Sequence, residues 1–502
     1  VKSVGTPKPE WLSMKSTWAR SRAILGGLQS VRDHDRSPSY NNILLPFSPS
    51  MDAMQYSLLK AEGELPCITA QFSKIITESL LRKRPMLEIE GETEDTQSWL
   101  LDEPGQDGMP LEATISTAVQ EEMATGRCWV FVDHPQVTED QVDGMLPEER
   151  DMVRPYPVIR SAEEVINWDY ASDQFGRRML NFVVVRSYRE YYADDPVHPV
   201  VREVVWVHRL NSKGHYEVQQ YDGPIISEPP VAAGRLIQPA AESGDGGGYT
   251  LVGTITPTVA SEPLYYIPAW PLSGKPDLAD PPLMPLIEKE IGLYNKMTRR
   301  NHLLYNAATF TPVICADITK ERFDEIVGAG LGSWILLPEP VHGGKVIDKL
   351  ETPTEALSDY DRSIAAAIDE MAKLGVRMLA SESSQSGIAL EIRNAAQTAQ
   401  LGAMSTYVAA TFRQVFRCMI HWRTGVQLPL TAIKFNLSTE FLSTLRDVNA
   451  LRLVTEWYEN GLVPREVFLH ILASNDYLPD GYNDEEGQRD MRKRTDLPPL
   501  EP

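Results

Sequence analysis

Two helical patterns in the second half of the chain, separated by a short insertion, restrict its fold more than any other feature. In "PPLMPLIEKEIGLYNKMTRRNHLLYNAA", residues 281–308, Leu283, Ile287, Ile291, Tyr294, Met297 and Leu304 recur near one stripe at helical spacing. In the second, Leu357, Tyr360, Ile364, Ile368, Met371, Leu374 and Met378 follow one another every three or four residues. Thr352 is placed to cap this helix, Pro353 to open it, and Glu355 at its third position completes a capping box. Running from Pro353 to Ala380, it would be roughly 40 Å long at 1.5 Å per residue, beyond the usual helix of a globular domain. The 309–350 insertion, with "FTPVICADI" and "GSWILLPE", mixes two or three short strands with a helix. These patterns predict a small α/β knob at the far end of a two-helix stalk.

The stretch "SESSQSG", residues 381–387, then breaks the chain, and a third long helix is predicted from about Ile388 to Trp422, closing at Gly425. Ala389, Ala395, Ala396, Ala399, Gly402 and Ala403 are interleaved in it with Leu390, Ile392, Leu401 and Met404. Such small residues allow close helix approach and favour helix. Beyond it, "LRDVNALRLVTEWY" and "PREVFLHILA" read as helices around an Asn460-Gly461 turn, before a charged tail expected to be poorly ordered.

The N-terminal half reads differently. A basic helix candidate, "STWARSRAILGGL", precedes a helical stretch carrying Leu58, Leu59 and Ala61, interrupted at Gly63 to Pro66. The pattern resumes with Ile68, Phe72, Ile75, Ile76 and Leu80, and Pro85 stops it. The helix "LEATISTAVQEEMATG" ends at Gly126, a position for a left-handed cap, and the strand "CWVFVDH" follows. From about 128 to 225, β-branched and aromatic runs alternate with turn residues, which predicts an antiparallel sheet with helices packed on one face. Residues 226–282, rich in Pro and Gly, are expected to form a long and mostly irregular connection.

At 502 residues the chain exceeds one compact core, so two or more domains are expected. Its 48 Lys plus Arg against 70 Asp plus Glu leave a net charge of −22, which repels a polyphosphate on average and counts against tight nucleic-acid binding, though not against letting a duplex slide past. The N-terminal segment lacks the apolar core of a signal peptide, and no stretch approaches the roughly 20 apolar residues of a membrane span, so a cytosolic protein is expected. Cys67, Cys128, Cys315 and Cys418 lie far apart and are expected as reduced, mostly buried thiols.

Tests for catalytic motifs return little. "GAGLG" lacks the third glycine of a dinucleotide fingerprint and follows a predicted helix; "HGGKV" and "SGKPD" lack the Ser or Thr of a phosphate loop. The nine histidines include no H-E-x-x-H, and no G-x-S-x-G occurs. His208 and His215 flank a predicted turn where they can meet across a hairpin, and are read as surface or interface residues. Glu121-Glu122 and Asp484 to Glu486 are read as solvated faces. No catalytic residue, metal site or cofactor is therefore expected. Of the basic clusters, Arg82 to Arg84 are explained by a helix end, while Arg299 and Arg300 are candidates for DNA contact.

Taken in order, "AEGELPCITAQFSKIITESLLRKRPML", "EEMATGRCWVFVDHP", "VINWDY", "PPLMPLIEKEIGLYN" and the run from "GSWILLPE" through "MAKLGVRMLASESSQSGIALEIRNAA" resemble the portal proteins of tailed bacteriophages. None of these stretches is a catalytic signature; the likeness lies in their succession, and the 226–282 region and the tail fall outside it. The resemblance implies an α+β multidomain chain: an antiparallel β-rich wing over 1–280, stem helices over 281–308 and 351–380, and a clip over 309–350. It further implies a tunnel loop over 381–387, a tunnel-side helix with return to the wing over 388–436, and a helical crown and tail over 437–502.

By the same resemblance Ser381, Ser383, Ser384, Gln385, Ser386 and Gly387 would face DNA, and the clip would dock partners through Glu321, Arg322, Asp324, Glu325, His342 and Lys345. The implied assembly is a homo-oligomeric ring of about twelve copies at the capsid vertex, assembled in the host cytoplasm. Its implied partners are double-stranded DNA, the major capsid protein, the terminase motor and tail adaptor proteins; no membrane or enzymatic step is implied. A Ser, Gln and Gly loop that carries one acidic residue, Glu382, and no Lys or Arg suits a conduit, because each phosphate held by Lys or Arg adds affinity that must be broken at every step. The alternatives are an acidic polysaccharide hydrolase, for which ten Trp and nineteen Tyr could line a sugar cleft, and another ring-forming head-completion protein.

Overall fold

The computed structural model describes residues 3–437 except 35–41, 43, 48–50, 93, 106–107, 136–143, 147–152, 173–175, 177, 192–199, 227–247, 260–261, 309–310, 316–318, 322–334, 338–346, 351–354 and 380–386. Beyond 437 it describes 452, 455–458, 464 and 467–468. At 94, 226, 306–308, 311–315, 335–337, 347–350, 355–356, 376–379 and 387–400 it describes the backbone alone. Contacts divide the chain into Val1–Thr439 and Glu440–Pro502. In the second unit, Arg452 pairs with Glu456 at 3.4 Å and Tyr458 stacks on Phe468 at 4.4 Å. The rest of the expected crown, with Asp484 to Glu486, lies outside the described residues.

The N-terminal part is a layer of helices. α1 (Pro9–Leu25) and α2 (Gly27–His34) meet at a bend where Gly27 takes φ 82. α3 (Ala53–Ala61) starts from a capping box in which Asp52 accepts from the Gln55 amide at 2.7 Å and Gln55 accepts from the Asp52 amide at 3.0 Å. α4 (Ile68–Leu80) follows the predicted interruption and leads to strand β1 (Met86–Ile89). After α5 (Glu94–Asp102), α6 (Leu111–Thr125) ends where the sequence predicts: Gly126 has φ 71 and donates to the Glu122 carbonyl at 2.8 Å. The close approach of the Ala279 carbonyl also leaves no room for a Cβ there, so glycine is required twice over.

β2 (Cys128–Asp133) emerges directly from α6 and pairs antiparallel with β3 (Tyr156–Ser161). The next four strands, β4 (Val165–Ser172), β5 (Arg178–Tyr191), β6 (Val200–Leu210) and β7 (Tyr216–Ile226), form an antiparallel meander, each beside its sequence neighbour. The region expected to be mostly irregular, of which 227–247 and 260–261 lie outside the described residues, contains short strands: β8 (Thr250–Ile255) adds a fifth strand to the meander, and β9 (Thr258–Val259) pairs with β10 (Glu262–Pro263). β11 (Ala269–Pro271) then pairs with the free side of β2. The β-branched run "TLVGTI" supplies the strand, and the surrounding glycines and prolines hid it.

Trp129, Trp168, Val183, Val185, Val205 and Val218 form the sheet core, with Trp11 and Trp18 of α1 packed into it. Each of those two indoles also donates to a backbone carbonyl: Trp18 to Thr125 at 2.8 Å and Trp11 to Ala162 at 3.0 Å. α1 is thus fixed both to the end of α6 and to the β3–β4 turn. Arg22 of α1 sits between Glu121 and Glu163, reaching the latter at 2.8 Å. Burial works against its charge, but the carboxylates, Glu163 foremost, outweigh burial and raise its pKa. Glu122 is buried and accepts from the Cys128 amide at 2.7 Å, and desolvation pushes its pKa up. The Glu121-Glu122 pair is therefore an internal joint rather than a solvated face: both carboxylates find donors that sequence does not place beside them.

α7 (Met284–Ala308) leads into the insertion, where β12 (Thr311–Cys315) lies between β13 (Ile335–Leu337), parallel to it, and β14 (Ile347–Leu350), antiparallel. α8 (Glu355–Leu379) and α9 (Gly387–Thr424) follow, and Gly425, at φ 73, donates to the His421 carbonyl at 2.9 Å. The chain returns through β15 (Ile433–Asn436), which pairs antiparallel with β1. The long helices thus match their predicted spans to within three residues at each described end; the expected cap at Thr352 and Pro353 lies outside the described residues. Among the described residues Cys67, Cys128 and Cys418 are free, and no helix is long and apolar enough to cross a membrane.

His208 and His215 do not meet. His208 is paired in register with Val218, its Nδ1 lies 2.7 Å from the Tyr216 hydroxyl, and its ring stacks on Tyr216 and contacts Phe131. His215 packs edge-on against Tyr265. The surface reading fails for His208 because the sheet presents it to its aromatic neighbours. Desolvation, with Arg160 adding a smaller like-charge effect, pushes its pKa down to about 3 from 6.5. Folding therefore favours neutral His208: its contribution is complete above pH 6.5 and is lost as pH falls from there toward about 3. His208→Gln should flatten that limb of the urea-unfolding stability profile; a variant whose profile parallels the wild type would contradict the burial argument.

Candidate functional site: the paired long helices

α7 is attached to the N-terminal layer by a succession of polar contacts along one side. Glu290, with no solvent exposure, receives the Ile68 amide on Oε1 and the Thr69 amide on Oε2, both at 2.8 Å. These are the first N–H groups of α4, which its own N-cap residue, Cys67 at φ 55, leaves without a side-chain acceptor. Glu290 is thus a cap supplied from a distant helix, where both the free donors and the helix dipole favour a carboxylate. One turn on, Tyr294 packs on Gly63 so closely that a Cβ there would lie 2.8 Å from its hydroxyl. Asn295 donates to the Leu44 carbonyl at 2.6 Å, Asn301 to the Glu62 carbonyl at 3.1 Å, and His302 meets the Glu62 carboxylate at 2.9 Å.

α8 runs antiparallel to α7, as two ion pairs establish: Lys289 to Glu370 at 2.7 Å and Arg300 to Asp361 at 2.5 Å. It is fastened to α4 at its C-terminal end. Met371 is fully buried, and Gly375 lies so near Phe72 that a built Cβ would be 1.9 Å from the ring Cζ. Both rods are therefore held by the same short helix, and α7 loses cover toward the insertion. Ile287 and Tyr294 are buried, whereas Leu304 is 47% exposed, Tyr305 58% and Ile368 39%. The apolar stripe of α7 runs on past the point where the chain's own body covers it, while in α8 Leu357, Tyr360 and Ile364 stay half-buried toward the insertion.

Of the residues singled out in sequence, Arg300 is engaged by Asp361, and Arg299 is exposed with no ion pair among the described residues. Glu321 is exposed in a helical position of the insertion; Arg322, Asp324, Glu325, His342 and Lys345 lie outside the described residues. Ser381, Ser383, Ser384, Gln385 and Ser386 also lie outside them, and Gly387 opens α9. The side chains of Ala389 to Ala399 are likewise not described. Glu290 and Gly375 were missed in sequence. Glu290 did leave a signal, since it falls inside the apolar stripe between Ile287 and Ile291.

Little else resembles a reaction centre. Among the described residues no three His, Cys, Asp or Glu side chains are grouped as metal ligands. An open depression of about 670 Å³ at the β6–β7 turn is lined by polar side chains including Arg209, Asn211, Lys213 and Glu217. "SGKPD" is a turn in which Gly274 has φ 68, and the carbonyls of Lys275, Pro276 and Asp277 accept from the buried Arg127 guanidinium. "GAGLG" and "HGGKV" lie outside the described residues.

Glu290→Gln should cost about 2 kcal/mol in chemical denaturation, because an amide accepts one helix donor but turns its own N–H toward the other. An unchanged midpoint would dissociate the cap from stability. Gly375→Val should cost about 1–3 kcal/mol by overpacking, and combining it with Phe72→Ala should recover much of that loss. Additive losses in the double variant would show that the two residues do not press on each other.

Among known protein families, residues 282–423 match a domain described as a domain of unknown function, DUF4055. The match opens two residues before α7 and closes in the last turn of α9, so it takes in both rods, the insertion and the following helix as one block. No curated protein matches the chain.

Proposed function

We propose that this chain is a portal subunit: copies close into a ring at a phage capsid vertex, through which the genome is packaged and released. The carrying observation is the pair of antiparallel rods, anchored at one end and bearing a small α/β insertion at the other, with the apolar stripe of the first uncovered toward the insertion. An uncovered stripe flanked by charged residues is what a subunit presents when neighbouring copies complete its packing. In this reading the sheet and the N-terminal helices are the wing, α7 and α8 the stem, and the insertion the clip that docks motor, then tail adaptors. Residues 381–387 touch DNA as the tunnel loop, and the C-terminal unit is the crown.

The net charge of −22 supports a conduit that does not hold its cargo. A polysaccharide hydrolase is supported less, because Trp11, Trp18, Trp129 and Trp168 pack in the core instead of lining a cleft.

Purified protein should elute near a dozen times 56.3 kDa and appear annular by negative-stain microscopy. Deleting Ser383 to Ser386 should leave the ring intact while impairing DNA packaging or retention. A protein that stays monomeric both alone and when co-expressed with capsid protein, or DNA-filled heads made normally by the deletion variant, would overturn the reading.

A further inference from the structure

Trp99 of α5 is 6% exposed, and two arginines from remote segments converge on its ring. The guanidinium carbon of Arg154, just before β3, lies 5.5 Å from the ring centroid, and that of Arg423, in the last turn of α9, lies 4.9 Å away. Among the described residues neither makes an ion pair or a hydrogen bond. Arg189 on Trp206 and Arg299 also lack an ion pair among the described residues, whereas Arg22, Arg84, Arg160, Arg202 and Arg300 have carboxylate partners; what sets Trp99 apart among the described rings is that it carries two guanidinium groups.

The convergence has a plainer reading that covers only part of it. The C-terminal end of α9 favours a cation through its dipole, which accounts for Arg423 but not for a second arginine on the same ring. α9 offers no counter-charge, since it contains no acidic residue from Ile392 to Thr424. Asp95 and Glu103, one turn to either side of Trp99, pair with neither arginine. A guanidinium lying against an aromatic ring keeps its N–H edge free, and that planar fork matches the oxygens of a tetrahedral oxyanion. Two like charges held against one indole repel each other, and an anion nearby relieves that repulsion.

We propose that Arg154 and Arg423, held on Trp99, form a phosphate-binding site. Phosphate fits better than a lone carboxylate because its tetrahedral oxygens offer more acceptors to a guanidinium fork than the two of a carboxylate. The phosphate can come from the backbone of duplex DNA or from free phosphate in solution; only the DNA source rests on the portal reading.

The test uses the full chain, titrated by calorimetry with inorganic phosphate and, separately, with a short DNA duplex at several salt concentrations. Arg154→Gln and Arg423→Gln, checked for native circular dichroism, should each weaken binding about tenfold. For the duplex, the slope of log affinity against log salt should fall by about 0.9 per arginine removed. Lys at either position should restore the salt slope but not the full affinity, since an ammonium lacks the planar fork. Binding of phosphate without the duplex, or of both, supports the site and identifies the source.

Wild-type protein that binds neither, or a double variant that binds as wild type does, overturns the proposal. So does a double variant that loses only its ring, which would assign the arginines to an acidic protein surface. A chain that binds phosphate but never forms a ring would sink the portal reading and leave this site standing.

Discussion

A single buried carboxylate ties the two halves of the architecture together. Glu290 projects from the middle of the first rod into the open end of α4, where two backbone N–H groups receive it. Taking a carboxylate out of water costs several kcal/mol, and only charge-assisted bonds of good geometry offset that cost. α4 supplies them because Cys67 turns the chain through a left-handed conformation and leaves the helix without a local cap. The helix and the rod thus complete each other: without Glu290 the end of α4 has unsatisfied donors, and without α4 the rod carries an unpaired buried charge. Gly375 extends the dependence to the second rod, whose contact with α4 requires the absence of a side chain.

The sheet half is joined to the helices by a different device, buried arginines. Arg127 donates to three consecutive carbonyls of the 275–277 turn while its guanidinium lies near Trp129 and Trp168. Desolvation lowers its pKa, yet arginine stays charged at any physiological pH, so the turn is held by a cation that cannot be switched off. Arg22 does the same between α6 and the β3–β4 turn through Glu121 and Glu163. Each arginine joins segments remote in sequence, and Arg127 in this way holds the turn through which the chain passes from β11 toward the first rod.

What the sequence disclosed follows from the range over which each signal acts. The spans of α7, α8 and α9, the cap at Gly126 and the stop at Gly425 were legible because helix periodicity and glycine's positive φ are local properties. The strands of the meander were legible from β-branched runs, apart from β8, which a glycine-rich neighbourhood concealed. Glu290, Glu122, Arg22 and His208 were not legible, because their roles depend on partners supplied by distant segments. Charged residues in a sequence read as surface by default, and here several of them are the joints of the interior.

The rods show the same division between local order and remote support along their own length. Near the body they are held by Glu290, Tyr294, Asn295 and Gly375 against the helical layer. The two ion pairs between the rods, Lys289–Glu370 near the body and Arg300–Asp361 toward the insertion, are both half-exposed and of a kind worth little to stability in water. Helix propensity alone does not hold an isolated pair of this length together, since most helical stability comes from packing an apolar face. Leu304, near the insertion end of the first rod, leaves part of such a face half-exposed. The insertion end of the first rod is therefore the part of it with most to gain from a neighbouring surface, and a second rod of the same kind would bring apolar residues at the same helical spacing.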